Sequence, residues 1–239
     1  FARGERVAEN GKLLTKCPHY EWPQTVRETV NLGKRLELKD FMISAPAGLS
    51  SVKAKVIGVI ENQAPTKAFE FDLPVKQGKV QAEGDVCYLS LIERHRGTGA
   101  VVNGFVSGFG YTGSMAIASS VAHDSHHMIV VGTNRKMMAS AANRLGEVGG
   151  GVTLWKDNSE VALVELPIAG LMSDSKASEV ALKTEDIVQA MTDCGCNLNN
   201  AYMQHTLLAL VVIPELRISN LGLVDVNRFE LTEVISSKP

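Results

Sequence analysis

The sequence predicts an α+β fold: mainly antiparallel β-sheets with a few packed helices, preceded by a terminal hairpin. Three observations carry that expectation. Short apolar stretches recur between Gly and Pro breaks along the chain. Period-two alternation shows in Lys53-Ala54-Lys55-Val56 and Phe69-Glu70-Phe71-Asp72, as in a sheet with one wet face. The helical patterns are few and do not alternate with strands as a βαβ chain requires.

Taken in order, Phe1 to Leu14 reads as a strand pair turning at Asn10-Gly11, the dipeptide best suited to a tight hairpin. Cys17 to Trp22 is polar and irregular. Pro23 to Leu36 has helix chemistry, with proline at the start and Lys34 and Arg35 in the last turn. Strands are expected at Phe41–Ser44, Val52–Glu61, Lys67–Leu73 and Asp85–Glu93. Two more, Val101–Ser107 and Met128–Gly132, bracket a loop rich in glycine, small residues and histidine. Asn134 caps a helix through Leu145, with Met137, Met138, Ala141 and Leu145 on one side and three glycines from Gly149 ending it. Gly151–Lys156 and Glu160–Leu166 form a hairpin turning at Asp157-Asn158, and Ser178–Asp193 is a helix opened by Asp174 or Ser175. No internal repeat or low-complexity segment interrupts this order.

A chain of 239 residues, 45% apolar and 21% charged, is long enough to bury a substantial core. Its net charge of −2 and its 5% aromatic content offer no basic stripe or stacking platform, which argues against nucleic acid as a partner. The longest apolar run, Leu207 to Ile213, is too short to cross a bilayer, so no membrane is expected and the chain reads as cytoplasmic. Four cysteines, Cys17, Cys87, Cys194 and Cys196, fit neither a disulfide framework nor a four-cysteine zinc site and read as reduced thiols.

Chemistry concentrates between Ser107 and Asn134, which hold three of the six histidines. His123, Asp124, Ser125, His126 and His127 admit three readings: metal ligands, a hydrogen-bonded structural turn, or substrate contact and proton shuttling. Glu93-Arg94-His95 is either a solvated strand end or a second contribution to the same cleft. His205, just before an apolar run, reads as a satisfied core histidine. Gly108-x-Gly110-x-x-Gly113 spells a dinucleotide fingerprint, but the following strand ends in Gly132-Thr133-Asn134 without the acid that would hold a ribose. Those glycines are expected to permit positive φ and close backbone approach. No G-x-S-x-G elbow accompanies Ser125, which excludes a serine triad of that kind.

The same stretch carries a resemblance. Gly108-Phe109-Gly110, Ala116 to His126 and Ile129 to Asn134 resemble the signature of the C-terminal domain of bacterial adenine deaminases, in the amidohydrolase superfamily. Leu91 to Gly99, Leu166 to Asp174 and Leu208 to Val226 resemble further blocks of that family in the same order. The departures are His127 where the pattern usually has Asn, Glu165 and Val212 where it usually has Pro, and a loose match around Cys194 to Asn200.

The resemblance implies a fragment. Residues 1–38 would be the tail of the amidohydrolase β-sandwich and a linker helix, and residues 39–239 the adenine deaminase C-terminal domain. The implied reaction is hydrolytic deamination of adenine to hypoxanthine and ammonia, by a hydroxide on a divalent metal (manganese, iron or zinc) held in an N-terminal (β/α)₈ barrel of the same protein. The superfamily's H-x-H barrel motif does not occur here, so this chain is expected to bind no metal and to be inactive alone. His123, Asp124 and His126 would then support catalysis, and Arg94, His95 and Ser125 would contact adenine. The implied partners are adenine, the barrel and further copies in a homo-oligomer. The alternative is a free-standing ligand-binding or oligomerisation module without catalysis.

Overall fold

The computed structural model describes residues 1–16 and 20–236, so the thiol expected at Cys17 lies outside the described residues. Asn10 and Gly11 adopt positive φ, and β1 (Ala8–Glu9) and β2 (Lys12–Leu13) pair antiparallel around them, all four strand residues being exposed. The helix expected from Pro23 to Leu36 is confined to α1 (Gln24–Arg27). Its continuation loses to tertiary hydrogen bonds: Asn31 N–H donates to the Arg94 carbonyl at 2.8 Å, and the Asn143 side chain binds both main-chain groups of Leu36 at 2.9 Å. Gly33, at φ +70°, also breaks the helical path, and an added Cβ there would meet the Gly97 carbonyl at 2.1 Å. The strand expected at Phe41–Ser44 is instead a 3₁₀ turn, Leu38–Phe41, followed by one bridge from Ser44 to Lys79.

Nine strands then build one sheet: β3 (Ser51–Gly58), β4 (Lys67–Lys76), β5 (Lys79–Val80), β6 (Cys87–Ile92), β7 (Val101–Ser107), β8 (Met115–Ser119), β9 (Met128–Gly132), β10 (Gly151–Lys156) and β11 (Ser159–Glu165). Their spatial order is β11-β10-β8-β9-β6-β7-β3-β4-β5. Every pairing is antiparallel except β3 with β7. The wet face expected from alternation exists at β3, where Ser51, Lys53 and Lys55 alternate with buried Val52, Ala54 and Val56; at β4 it does not, because residues 67–72 are exposed on both faces, Phe69 and Phe71 included. At the centre it does not, because every residue of β6, β8 and β9 is buried.

Both faces of the sheet are covered. On one side lies α2 (Arg135–Val148), capped by Asn134 Oδ1, which accepts from the N–H groups of Lys136 and Met137 at 2.9 and 3.2 Å. Met137, Met138 and Leu145 pack there against Ala116, Met128 and Val130. Each such side chain contributes about 1.5–3 kcal/mol when fully buried. On the other side lie α3 (Ala177–Asp193), α4 (Ala201–Leu207) and a three-stranded sheet of β12 (Leu216–Ser219), β13 (Gly222–Asp225) and β14 (Glu230–Thr232). Lys176, not Asp174 or Ser175, precedes α3, because Asp174 is drawn into an ion pair with Arg27 at 2.6 Å.

Register places the chemistry. Ile92 of β6 pairs with Met128 of β9 and also with Val101 of β7. Residues 93–95 leaving β6 and residues 123–127 entering β9 therefore emerge side by side at one end of the sheet.

Candidate functional site

Glu93, the first residue past β6, is only 7% exposed, yet its carboxylate is filled by its own turn. It accepts N–H groups from His95 (2.6 Å), Arg96 (2.8 Å) and Thr98 (3.1 Å), and the Thr98 hydroxyl at 3.0 Å. Burial alone would raise its pKa, but these donors outweigh it and hold the value at about 2. Gly97 takes φ +64° within that turn, packed against the Asn31 side chain.

Arg94 points the other way and is 1% exposed. Its Nε donates to the His126 carbonyl at 2.5 Å, Nη1 to the Thr29 carbonyl at 3.3 Å and Nη2 to the Ala169 carbonyl at 3.2 Å. The substrate contact expected of Arg94 is therefore corrected: its fork is spent on three backbone segments that it holds together. Burial lowers its pKa to about 10, with Glu93 acting in the opposite direction, so it stays a cation at neutral pH.

The histidine loop divides into two groups. His123 and His126 face one another with ring centroids 5.5 Å apart, and His126 Nδ1 accepts the Ala122 N–H at 3.3 Å, leaving the neutral ring's proton on Nε2. Asp124 and Ser125 form the exposed tip. His95 and His127 pack together on the other side, ring centroids 4.8 Å apart and planes tilted by 53°, where His95 Nε2 donates to the Ser125 carbonyl at 2.9 Å. It is Ser125's main chain, not its hydroxyl, that makes this contact. Burial is the largest cause lowering the pKa of both His126 and His127. His123 and Arg94 add to the effect at His126 against Asp124, and His95 adds to it at His127 against Glu93. Both rings are neutral at neutral pH.

The concave surface here is a cleft of about 380 Å³ whose lining includes Glu93, His95, Arg96, Thr98, His127 and Asn220, with Leu91 and Val102 as its apolar wall. Of the expected site residues only His95 lines it. His123, Asp124 and His126 stand together on the adjoining loop, joined to the cleft through the Ser125–His95 contact. Glu93 and His127, named in the sequence beside the expected residues without an assigned role, also line the cleft, and Arg96, Thr98 and Asn220 are contributors that sequence reasoning does not single out. An acid directly after an apolar strand was the available signal for Glu93, whereas nothing local marks Asn220.

This loop is a poor fit for a metal. Among the described residues no three His, Cys, Asp or Glu side chains converge as ion ligands, and His126 Nδ1 already binds a backbone N–H. The glycine stretch is equally committed, since Asp85 accepts the N–H groups of Gly108 and Gly110 at 2.7 and 2.9 Å where a phosphate would need them. Gly108, at φ +98°, lies so close to Val59 that an added Cβ would meet its carbonyl at 2.8 Å.

Comparison with known proteins agrees with the family resemblance. The family model described as adenine deaminase C-terminal domain matches residues 63–230. An adenine deaminase of Roseobacter denitrificans is 67% identical over 99% of this chain and 40% of its own length. One of Mesorhizobium japonicum is 60% identical over 98% of the chain and 39% of its own, and one of Moorella thermoacetica 42% identical over the same shares. The chain thus spans about 40% of the length of the curated relatives it matches.

Proposed function

From the premise that this chain belongs to the adenine deaminase C-terminal domain family, we propose that it is the C-terminal part of an enzyme that hydrolyses adenine to hypoxanthine and ammonia. The observation that carries this reading is identity of 67% along 99% of the chain to a protein named adenine deaminase, of which it spans 40%. The remaining length has room for a (β/α)₈ barrel, and we assign the divalent ion (manganese, iron or zinc) to that barrel because no three ion-binding side chains converge among the described residues of this chain. Residues 1–38, with the hairpin β1–β2, then close the amidohydrolase β-sandwich, and residues 39–239 form the C-terminal domain. Adenine, the barrel and further copies of the same protein are the partners this reading requires, and the cytoplasm is its location. No described helix is long and apolar enough to cross a membrane.

Within that enzyme the end of the sheet carrying the histidine loop faces the barrel mouth. Asp124, exposed beside a neutral His126, orients that imidazole and favours its protonated form against burial and Arg94. His95, its Nε2 proton fixed on the Ser125 carbonyl, presents Nδ1 as an acceptor in the neutral ring. Arg94 positions the loop without touching substrate.

The test compares this chain with the longer protein, following loss of adenine by its ultraviolet spectrum with added manganese or iron(II). Turnover by the longer protein and none by this chain is the expected result. Turnover by this chain above a metal-only control, or none by the longer protein when metal-loaded, would overturn the reading in favour of another activity or a non-catalytic module.

A further inference from the structure

The histidine loop is held from a second side. It leaves β8 at Ser119, which is fully buried, and rejoins the sheet at Met128. Arg94 holds the outgoing limb through the His126 carbonyl. The incoming limb is held by α4. Tyr202 Oη lies 3.1 Å from Ser119 Oγ, and the Thr206 carbonyl accepts the His123 N–H at 3.1 Å. Tyr202 and Thr206 stand at i and i+4, so they share one face of the helix and a single turn sets both contacts.

The direction of the Tyr202 bond follows from the protons available. Ser119 Oγ accepts the Val121 N–H at 3.0 Å and gives its one proton to the Val121 carbonyl, also at 3.0 Å. Its remaining lone pair accepts, so Tyr202 donates. Burial raises the phenol's pKa, against the Ser119 bond, which keeps that proton in place at neutral pH. Ser120, next along the chain, bonds Gly151 and Gly170 instead and leaves Val121 to His123 to α4. The loop then closes on itself, the His126 N–H on the Ala122 carbonyl at 2.7 Å and the Ala122 N–H on His126 Nδ1 at 3.3 Å. A shift of the incoming limb therefore reaches His126 as well as His123.

We propose that Tyr202 is a positioning residue for the deamination, its hydroxyl acting through Ser119, beside the Thr206 carbonyl, to fix where His123 stands relative to His126 and Asp124. The link to turnover rests on the adenine deaminase reading, whereas the link from Tyr202 to the loop rests on the hydrogen bonds. The Tyr202 ring lies in an apolar groove with Val152, Leu198 and Met203, where phenylalanine packs equally well.

The experiment makes Tyr202→Phe, Ser119→Ala and the double variant in the longer protein, metal-loaded, and follows adenine by its ultraviolet spectrum. Tyr202→Phe is expected to lower kcat by at least about fivefold with KM within about twofold, since the hydroxyl meets Ser119 and not substrate. The double variant is expected to lose no more than about twofold beyond the worse single variant, because both changes break one bond. Ser119→Ala serves alone if Tyr202→Phe does not fold. The 239-residue chain, ¹⁵N-labelled at histidine, gives a second readout by NMR. Burial is the largest cause holding the His126 pKa down, with His123, Arg94 and His95 adding to it against Asp124. Loosening the incoming limb opens His126 to water and parts it from His123, so its pKa is expected to rise towards 6.5 in Tyr202→Phe.

Unchanged kcat in folded Tyr202→Phe, a rise in KM alone, additive losses in the double variant, or a His126 titration identical to the parent's each overturns the positioning role. Equal turnover by parent and variant removes that role and leaves the enzyme reading standing. No turnover by the metal-loaded parent removes both.

Discussion

Nε of Arg94 donates to the main-chain carbonyl of His126 across 2.5 Å, so a buried cation at the end of one strand holds the loop that enters its neighbour. The same guanidinium reaches Thr29 and Ala169, and the four segments meeting there lie far apart in sequence. Among the described residues no carboxylate pairs with this side chain. Its charge is solvated by carbonyl dipoles, which ties the histidine loop's geometry to one residue.

Replacing Arg94 with Met is expected to cost about 3 kcal/mol or more, because three carbonyls lose their donors. Arg94→Lys should recover only part of this, since an ammonium cannot span the three carbonyls as the planar fork does. Urea melts give the magnitude, and hydrogen exchange at His127 and Met128 shows whether the loop loosens first. A Met variant within about 0.5 kcal/mol of the parent would remove the clamp from the account.

Glu93 makes stability depend on acid. Its pKa falls from 4.5 to about 2 on folding, so the unfolded chain binds the proton more readily. The stabilisation is fully present above about pH 4.5 and is lost as pH falls towards 2. Glu93→Gln should cost about 2 kcal/mol at pH 6 and much less at pH 3, where the parent has lost most of the same advantage. A penalty independent of pH, measured by urea unfolding at both values, would contradict the assignment.

His205 works with the same sign through a base. It is 0% exposed, neither ring nitrogen has a partner among the described residues, and the Ile117 main chain faces it without hydrogen-bond geometry. The satisfied core histidine expected from sequence is thus buried but not satisfied. Burial holds its pKa at about 3 against 6.5, so protons bind the unfolded chain first as pH drops. About 2 kcal/mol should be lost between pH 7 and pH 5 through this residue. His205→Leu should abolish that share and leave the variant no less stable than the parent at pH 5. Parallel stability–pH curves for the two proteins would refute this.

Asp124→Asn in the longer protein is expected to lower adenine turnover by at least about tenfold with an unchanged melting temperature, because the residue is exposed and the change removes charge while keeping size. Metal content is assayed on the same samples. Unchanged turnover at normal metal loading would return the loop to a scaffold role.

Much of the frame was readable from local chemistry. Val101–Ser107 and Met128–Gly132 form as read, Asn134 caps α2, and Asp157-Asn158, both at positive φ, turn the β10–β11 hairpin. Each signal lies within a few residues of the structure it specifies. Met115–Ser119 was not readable as a strand, because a central strand buried on both faces has no polar alternation to display. α4 and the strands β12 to β14 gave no comparable signal in the sequence reading.

The sequence by itself determined the family, the strand-rich α+β plan and the region where titratable groups gather. Only the tertiary structure decided which of those groups share a surface. Arg94 and His95 are adjacent in sequence, yet one is sealed among backbone carbonyls and the other lines a cleft, because successive residues leaving a strand point to opposite sides. His126 and His127 divide in the same way, the first towards His123 and the second towards His95. Short-range patterns fix local conformation. The partner of a side chain is chosen by strand register, here Ile92 against Met128, which brings together residues more than thirty positions apart.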